Sequence, residues 1–153
     1  MPMAPNDIES RMNAFREACA CRGVKVTHQR LEIFRELAST DEHPDAETIH
    51  RRVRGRISTI SRDTVYRNLK MLAEHDLVSV VGMSNERLRF DANMGLHHHF
   101  VCMQCGLIRD FYSQHPKNIE CPKEVEAFGD PVSVHLEVKG LCTKCRSLDG
   151  ENN

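Results

Sequence analysis

The chain has 153 residues, 40% of them hydrophobic, with 21 basic and 22 acidic residues and a formal net charge of −1. That length admits one ordinary domain or two small ones, and the apolar content suits a folded core. No apolar run approaches the roughly 18 residues that a membrane span requires. The start, Met1-Pro2-Met3-Ala4-Pro5, lacks the basic and apolar regions of a secretory signal. A cytoplasmic protein without a membrane partner is expected, its cysteines reduced.

Ile8, Met12, Phe15 and Cys19 recur at helical spacing, and Leu31, Phe34 and Leu37 do so again after Thr27, a helix cap. A third helix is expected after Pro44-Asp45, running through Ile49 and Val53. In the fourth, Ser61 is the cap, Val65, Leu69 and Leu72 line one face, and Asp63, Arg67 and Lys70 lie opposite, flanked by Arg62 and Tyr66. Between Thr48 and Lys70, Arg51, Arg52, Arg54, Arg56, Arg62, Arg67 and Lys70 face a single acid, Asp63. Such a strip is either a solvated helix face or the footprint of a polyanion. A short helix with an apolar back and an Arg/Tyr/Lys front, closely following another helix, suits the major groove of DNA.

After Asp76 the period becomes extended. Leu77 to Val81 and Arg87 to Phe90 flank the polar turn Gly82-Met83-Ser84-Asn85, a hairpin. Helices followed by a hairpin read as a winged helix, in which Arg87 and Arg89 of the wing can reach the DNA backbone; the alternative is a hairpin that covers the helical core with its arginines solvated. The winged-helix domain is assigned to residues 1–91 and a hinge to 92–96. Residues 97–153 form a second, small α/β domain, giving an α+β protein. Strands are expected at His97 to Met103, Leu107 to Tyr112 and Val132 to Val138, with a helix around Lys123 to Phe128. A domain this short commonly depends on a metal or a partner subunit.

Cys102-x-x-Cys105 and Cys142-x-x-Cys145 supply two thiolate knuckles, which together complete a closed tetrahedral zinc site of structural type. Cys19, Cys21 and Cys121 lack such partners and read as inert thiols. On a strand, His97 and His99 point one way and His98 the other, so the first two can share an ion, with Asp91 and Asp110 available as carboxylate ligands; the alternative is that the three histidines are surface decoration. Imidazoles with carboxylates suit iron(II) or manganese(II).

Val26-Thr27-His28-Gln29-Arg30, Asp63-Thr64-Val65-Tyr66-Arg67-Asn68-Leu69, Arg89-Phe90-Asp91, and His97 to Cys105 closing on Cys142 and Cys145 resemble the ferric-uptake-regulator (Fur) family of bacterial metalloregulators. The resemblance spans about residues 8 to 146. It implies an N-terminal winged helix, a C-terminal dimerisation domain with its structural zinc, and a homodimer that represses from palindromic double-stranded operators when loaded with metal. Within the family the chain is most similar to the peroxide-sensing PerR branch. That resemblance implies a regulatory Fe2+ or Mn2+ held by His43, Asp91, His97, His99 and Asp110, with His43 and His97 at the positions that peroxide oxidises. Asp110 stands where iron and zinc sensors usually have glutamate. Arg67 departs from the peroxide sensors and matches the iron sensor, and His28 replaces a usual proline. The additional metal site of many relatives is broken here, because His98, Lys117 and Val134 occupy its ligand positions and His135 is out of register; two metals per subunit are expected.

The alternatives are a Fur-type iron, manganese or zinc uptake regulator that does not sense peroxide and, more distantly, a zinc-dependent hydrolase or deaminase. The latter is suggested by His135-Leu136-Glu137 ahead of Cys142-x-x-Cys145, but it lacks the Pro-Cys-x-x-Cys of deaminases and an open zinc position.

Overall fold

The computed structural model describes residues 5–84, 87–112 and 120–150. The chain divides into two compact units, Met1–Met94 and Gly95–Asn153. The first contains α1 (Pro5–Cys21), α2 (His28–Ala38), α3 (Ala46–Val53), α4 (Arg62–Glu74) and the hairpin of β1 (Ser79–Ser84) and β2 (Arg87–Asp91). The apolar residues that recur every three or four positions converge on one core. Met12, Phe15 and Cys19 meet Ile33, Phe34 and Leu37, and these meet Ile49, Val53, Val65, Leu69 and Leu72. Phe15 and Phe34 stack with ring centroids 4.0 Å apart.

Side-chain caps start three of the helices. Thr27 accepts from the Arg30 N–H, Asp45 from Thr48 and Ser61 from Thr64, each satisfying a backbone donor that a helix start otherwise leaves open. Further polar ties hold the helices in place. Arg30 Nε donates to Asn68 Oδ1 at 3.2 Å, linking α2 to α4. His50 Nε2 donates to the Ile60 carbonyl at 3.1 Å, steadying the turn just before the Ser61 cap. Arg56, part of the basic strip, turns to Glu32 and Glu36 of α2.

The hairpin pairs antiparallel, from Ser79 opposite Asp91 to Ser84 opposite Arg87, with a bulge at Gly82, whose φ of 53° favours glycine. Residues 43–45 run beside β2. Asp45 bridges to Arg89, and the Phe90 N–H donates to the Pro44 carbonyl at 3.1 Å.

Asp45 both caps α3 and accepts from Arg87 at 3.1 Å. Burial acts to raise its pKa, but the bonds from Thr48 and Arg87 outweigh it and hold the carboxyl below its ordinary value. A carboxylate depressed in this way contributes stability above its unfolded-state pKa and loses that contribution as pH falls through the folded value. Asp45→Ala should therefore lower the unfolding free energy by about 1 kcal/mol at neutral pH, read by urea denaturation. The difference from the parent protein should shrink below the ordinary carboxyl value of 3.8.

The second unit is a three-stranded sheet in the order β4-β3-β5, where β3 is His98–Cys102, β4 Ile108–Phe111 and β5 Glu137–Gly140. β3 is antiparallel to β4 and parallel to β5. A 3-10 turn covers Lys123–Ala127, and α5 covers Thr143–Gly150. The core here is thin: Cys102, Cys142 and Cys145, with Phe100 and Leu107 packed against them.

Two expectations need correction. The strand expected at 132–138 begins only at Glu137, and Val132 is 99% exposed, so the alternating apolar pattern before β5 has no inner face to cover within one chain. α5 adds a helix to the expected elements: Thr143 to Gly150 carries one large apolar residue, Leu148, and shows no helical periodicity.

Candidate metal centres and nucleic-acid interface

In the second unit, Cys102 ends β3 and Cys105 follows on a tight turn. The Gly106 N–H donates to the Cys102 carbonyl at 3.0 Å, and the Cys102 N–H donates to the Leu107 carbonyl at 2.8 Å, with Gly106 at a φ of 71°. Cys142 precedes α5 and acts as its cap: the Cys145 N–H points at the Cys142 sulfur at 3.5 Å, and the Arg146 N–H bonds the Cys142 carbonyl at 2.9 Å. The Cys142 N–H in turn donates to the Cys102 sulfur at 3.3 Å. All four sulfurs lie within 4.8 Å of one another. Backbone donors, first at Cys105 and then at Cys142, pull the Cys102 thiol down to about 6. Burial, aided by the neighbouring cysteines, pushes Cys145 up to about 12. The cluster thus already stabilises a thiolate at one sulfur and resists further ionisation at another. A divalent, thiophilic ion removes that conflict, so the donor set fits zinc in a closed site.

On the same sheet, His99 stands opposite Asp110 and His98 opposite Phe111. The alternation separates the histidines as expected. His98 packs on Phe111 and accepts from the Leu136 N–H through Nδ1 at 3.2 Å. His97 and His99 bring their Nε2 atoms to 3.0 Å, and Asp110 Oδ1 lies 3.6 Å from the first and 3.3 Å from the second. His97 Nδ1 is 2.6 Å from the Gly95 carbonyl, which can only accept, so Nδ1 carries the hydrogen and the neutral ring presents its lone pair at Nε2. A fixed Nδ1–H bond of this kind orients an imidazole for a cation. The nitrogen and carboxylate donors fit iron(II) or manganese(II).

In the first unit, His43 Nε2 lies 3.3 Å from Asp91 Oδ2, and Asp91 Oδ1 accepts from the Asn93 N–H at 2.8 Å. His43 has a φ of 52°, in the left-handed region that costs a non-glycine residue roughly 1–2 kcal/mol. Arg89 holds that segment. Its guanidinium donates from Nε to the His43 carbonyl, and its NH2 donates to the Glu42 carbonyl at 2.7 Å. Arg52 also binds the Glu42 carboxylate at 3.0 Å.

Along α4, Val65, Leu69 and Leu72 are buried, and the opposite face presents Tyr66, 53% exposed, with Arg67 and Lys70. The charges on this face are paired with acids: Arg67 with Asp63 at 3.0 Å, Lys70 with Glu74 at 3.8 Å and Arg62 with Glu47 at 3.1 Å. Exposed pairs of this type are worth only about 0–1 kcal/mol, so the cations transfer readily to phosphates or base edges. Of the wing arginines, Arg87 reaches Asp45 and Arg89 reaches the carbonyls of residues 42 and 43. Of the residues weighed for an additional metal site, Lys117 lies outside the described residues, His98 is engaged with Leu136, and His135 is exposed.

A reading helix with a β-hairpin wing, joined in one chain to clustered thiolates and imidazoles, defines a metal-responsive DNA-binding regulator. Residues 21–138 match the ferric uptake regulator family, and the chain belongs to it. The peroxide-responsive repressor PerR of Staphylococcus aureus is 32% identical over 143 residues, covering 92% of this chain and 93% of its own. Among solved structures, the Helicobacter pylori ferric uptake regulator Fur, described as having three functional metal-binding sites, is 25% identical with a TM-score of 0.68, covering 91% of this chain and 93% of its own. The ferric uptake regulator of Francisella tularensis with iron is 28% identical with a TM-score of 0.66, over 81% and 96%. As a family member, the protein is a transcriptional regulator and not an enzyme, which sets aside the hydrolase and deaminase alternative. It binds DNA as a dimer and takes a structural zinc and a regulatory iron or manganese ion.

Proposed function

We propose that this regulator is a repressor that senses hydrogen peroxide. Cys102, Cys105, Cys142 and Cys145 hold the structural zinc, and His43, Asp91, His97, His99 and Asp110 are the ligands of the regulatory ion. The observation that carries the regulatory assignment is the His97–His99–Asp110 cluster, with the His97 lone pair directed by the Gly95 carbonyl. His43 and Asp91 form a second ligand pair on the unit that bears the reading helix, so metal occupancy and the presentation of α4 to DNA become linked equilibria. Arg62, Asp63, Tyr66, Arg67 and Lys70 face the operator, and a dimer presents two such helices to the half-sites of a palindrome.

The similarity to a peroxide-responsive repressor and the short carboxylate Asp110 support the peroxide reading over a plain uptake regulator. Iron(II) held by these ligands would supply the reduction of peroxide that leaves one oxygen atom on a neighbouring ring. His43 and His97 are the rings expected to be modified. An oxidised imidazole is a poor donor, so the ligand set loses a member and the operator is released. Iron-loaded protein treated with one equivalent of peroxide should carry one added oxygen on a peptide containing His43 or His97, and manganese-loaded protein should carry none. Unmodified histidines in the iron-loaded sample, together with unchanged operator binding, would leave the second reading: an uptake regulator of iron, manganese or zinc. That reading is favoured by Arg67, which matches the iron sensor.

A further inference from the structure

The guanidinium of Arg89 binds two successive carbonyls, those of Glu42 and His43, from a strand more than 40 residues away in sequence. We propose that Arg89 is a positioning residue that holds His43 in its ligand-presenting conformation, and that its task lies here and not in a phosphate contact. The proposal rests on the assignment of His43 as a ligand of the regulatory ion.

Four observations within the first unit support it. His43 sits at a φ of 52°, which an unconstrained histidine rarely adopts, so something must select it. The two bonds from Arg89 fall on the carbonyls at and just before that residue, where they fix the orientation of the two peptide planes that flank the His43 Cα and so set its φ and ψ. The next carbonyl, that of Pro44, accepts from the Phe90 N–H, and Asp45 bridges to Arg89 and binds Arg87, so the segment is pinned along its whole length to β2. β2 ends at Asp91, whose Oδ2 lies 3.3 Å from His43 Nε2. The wing strand therefore supplies both the carboxylate and the brace for the imidazole opposite it. A planar fork reaches two carbonyls at once, which a lysine ammonium on a flexible stem does far less well.

Without the brace, residues 42–44 sample other conformations, and the apparent metal affinity falls by the fraction of time that His43 is correctly placed. Second-layer partners of metal ligands typically contribute about 10–100-fold to affinity.

The test uses full-length, zinc-replete protein and manganese(II) or cobalt(II) as the probe. Arg89→Gln should weaken manganese binding about tenfold and alter the cobalt absorption bands in the same direction as His43→Ala, and adding it to His43→Ala should cause no further loss. Arg89→Lys should recover part of the affinity. In the metal-free protein, the backbone chemical shifts of His43 should leave the left-handed range in Arg89→Gln while those of α4 stay in place, which separates positioning from loss of fold. Parental manganese affinity in Arg89→Gln alongside a weakened His43→Ala would overturn the positioning role and leave the ligand assignment standing. An unweakened His43→Ala would overturn the ligand assignment itself. If Arg89→Gln instead lowers the salt dependence of operator binding by about one unit at unchanged metal affinity, Arg89 is a phosphate contact and the proposal fails.

Discussion

Replacing Cys145 with serine should unfold the second unit while the helices of the first remain. The reason is the composition of the second unit's core. Cys102, Cys142 and Cys145 form its buried cluster, with Phe100 and Leu107 packed against them and Ile108 of β4 also buried, whereas the first unit closes its core with residues from four helices and the hairpin. A closed four-thiolate zinc site contributes apparent binding energy on the order of 10 kcal/mol to folding. No apolar cluster of this size replaces that. Cys145 also carries the thiol that burial pushes up to about 12, so in the absence of zinc it stays protonated at neutral pH. Its raised pKa favours the metal-free fold below the ordinary thiol value of 9.0 and ceases to do so as pH rises through about 12. Cys102 has the opposite sign: the contribution of its thiolate is present above 9.0 and is lost as pH falls through about 6. Zinc uptake at neutral pH must displace the Cys145 proton, so it strengthens as pH rises. Metal analysis of the parent protein should give two ions per chain, and Cys145→Ser should lose the zinc. Hydrogen exchange should then show β3, β4 and β5 unprotected and α2 and α4 still protected. Retained protection across the sheet in a zinc-free variant would show that the unit folds on its apolar contacts alone.

The same comparison explains what the sequence could and could not disclose. In the first unit, apolar spacing and the caps Thr27, Asp45 and Ser61 are local signals, and the helices they mark start at His28, Ala46 and Arg62. The separation of His98 from His97 and His99 follows from strand alternation alone and appears in the register with Phe111 and Asp110. The strand before Glu137 and helix α5 depart from the sequence pattern for a common reason: the periodicity there does not describe burial within this chain. Val132 to Leu136 has an alternating pattern with no core to cover, and α5 is started by a cysteine cap that belongs to the metal cluster. The bonds of Arg87 and Arg89 to residues 42–45 are not legible in the sequence, since an arginine on a wing has the same appearance there whether it faces phosphate, its own backbone or a neighbouring carboxylate.

His99→Ala should abolish the metal-dependent part of operator binding while leaving the fold and the zinc intact. His99 Nε2 lies between His97 Nε2 at 3.0 Å and Asp110 Oδ1 at 3.3 Å, so its removal opens the middle of the cluster. His98, the adjacent imidazole, is turned to Phe111 and Leu136 on the other side of the sheet. Coupling between two binding events typically amounts to about 1–3 kcal/mol, or 5–150-fold in affinity. Manganese should therefore tighten operator binding by the parent protein within that range and have no effect on the variant. By reciprocity, operator DNA should raise the manganese affinity of the parent by the same factor and that of the variant not at all. The charges of α4 are unchanged by the substitution, so weak, salt-dependent binding to nonspecific DNA should be equal in the two proteins. This control separates a lost signal from a damaged reading head. A variant that still tightens on DNA when manganese is added would remove His99 from the regulatory ligands. A variant that loses nonspecific binding as well would show that the histidine supports the fold and not the signal.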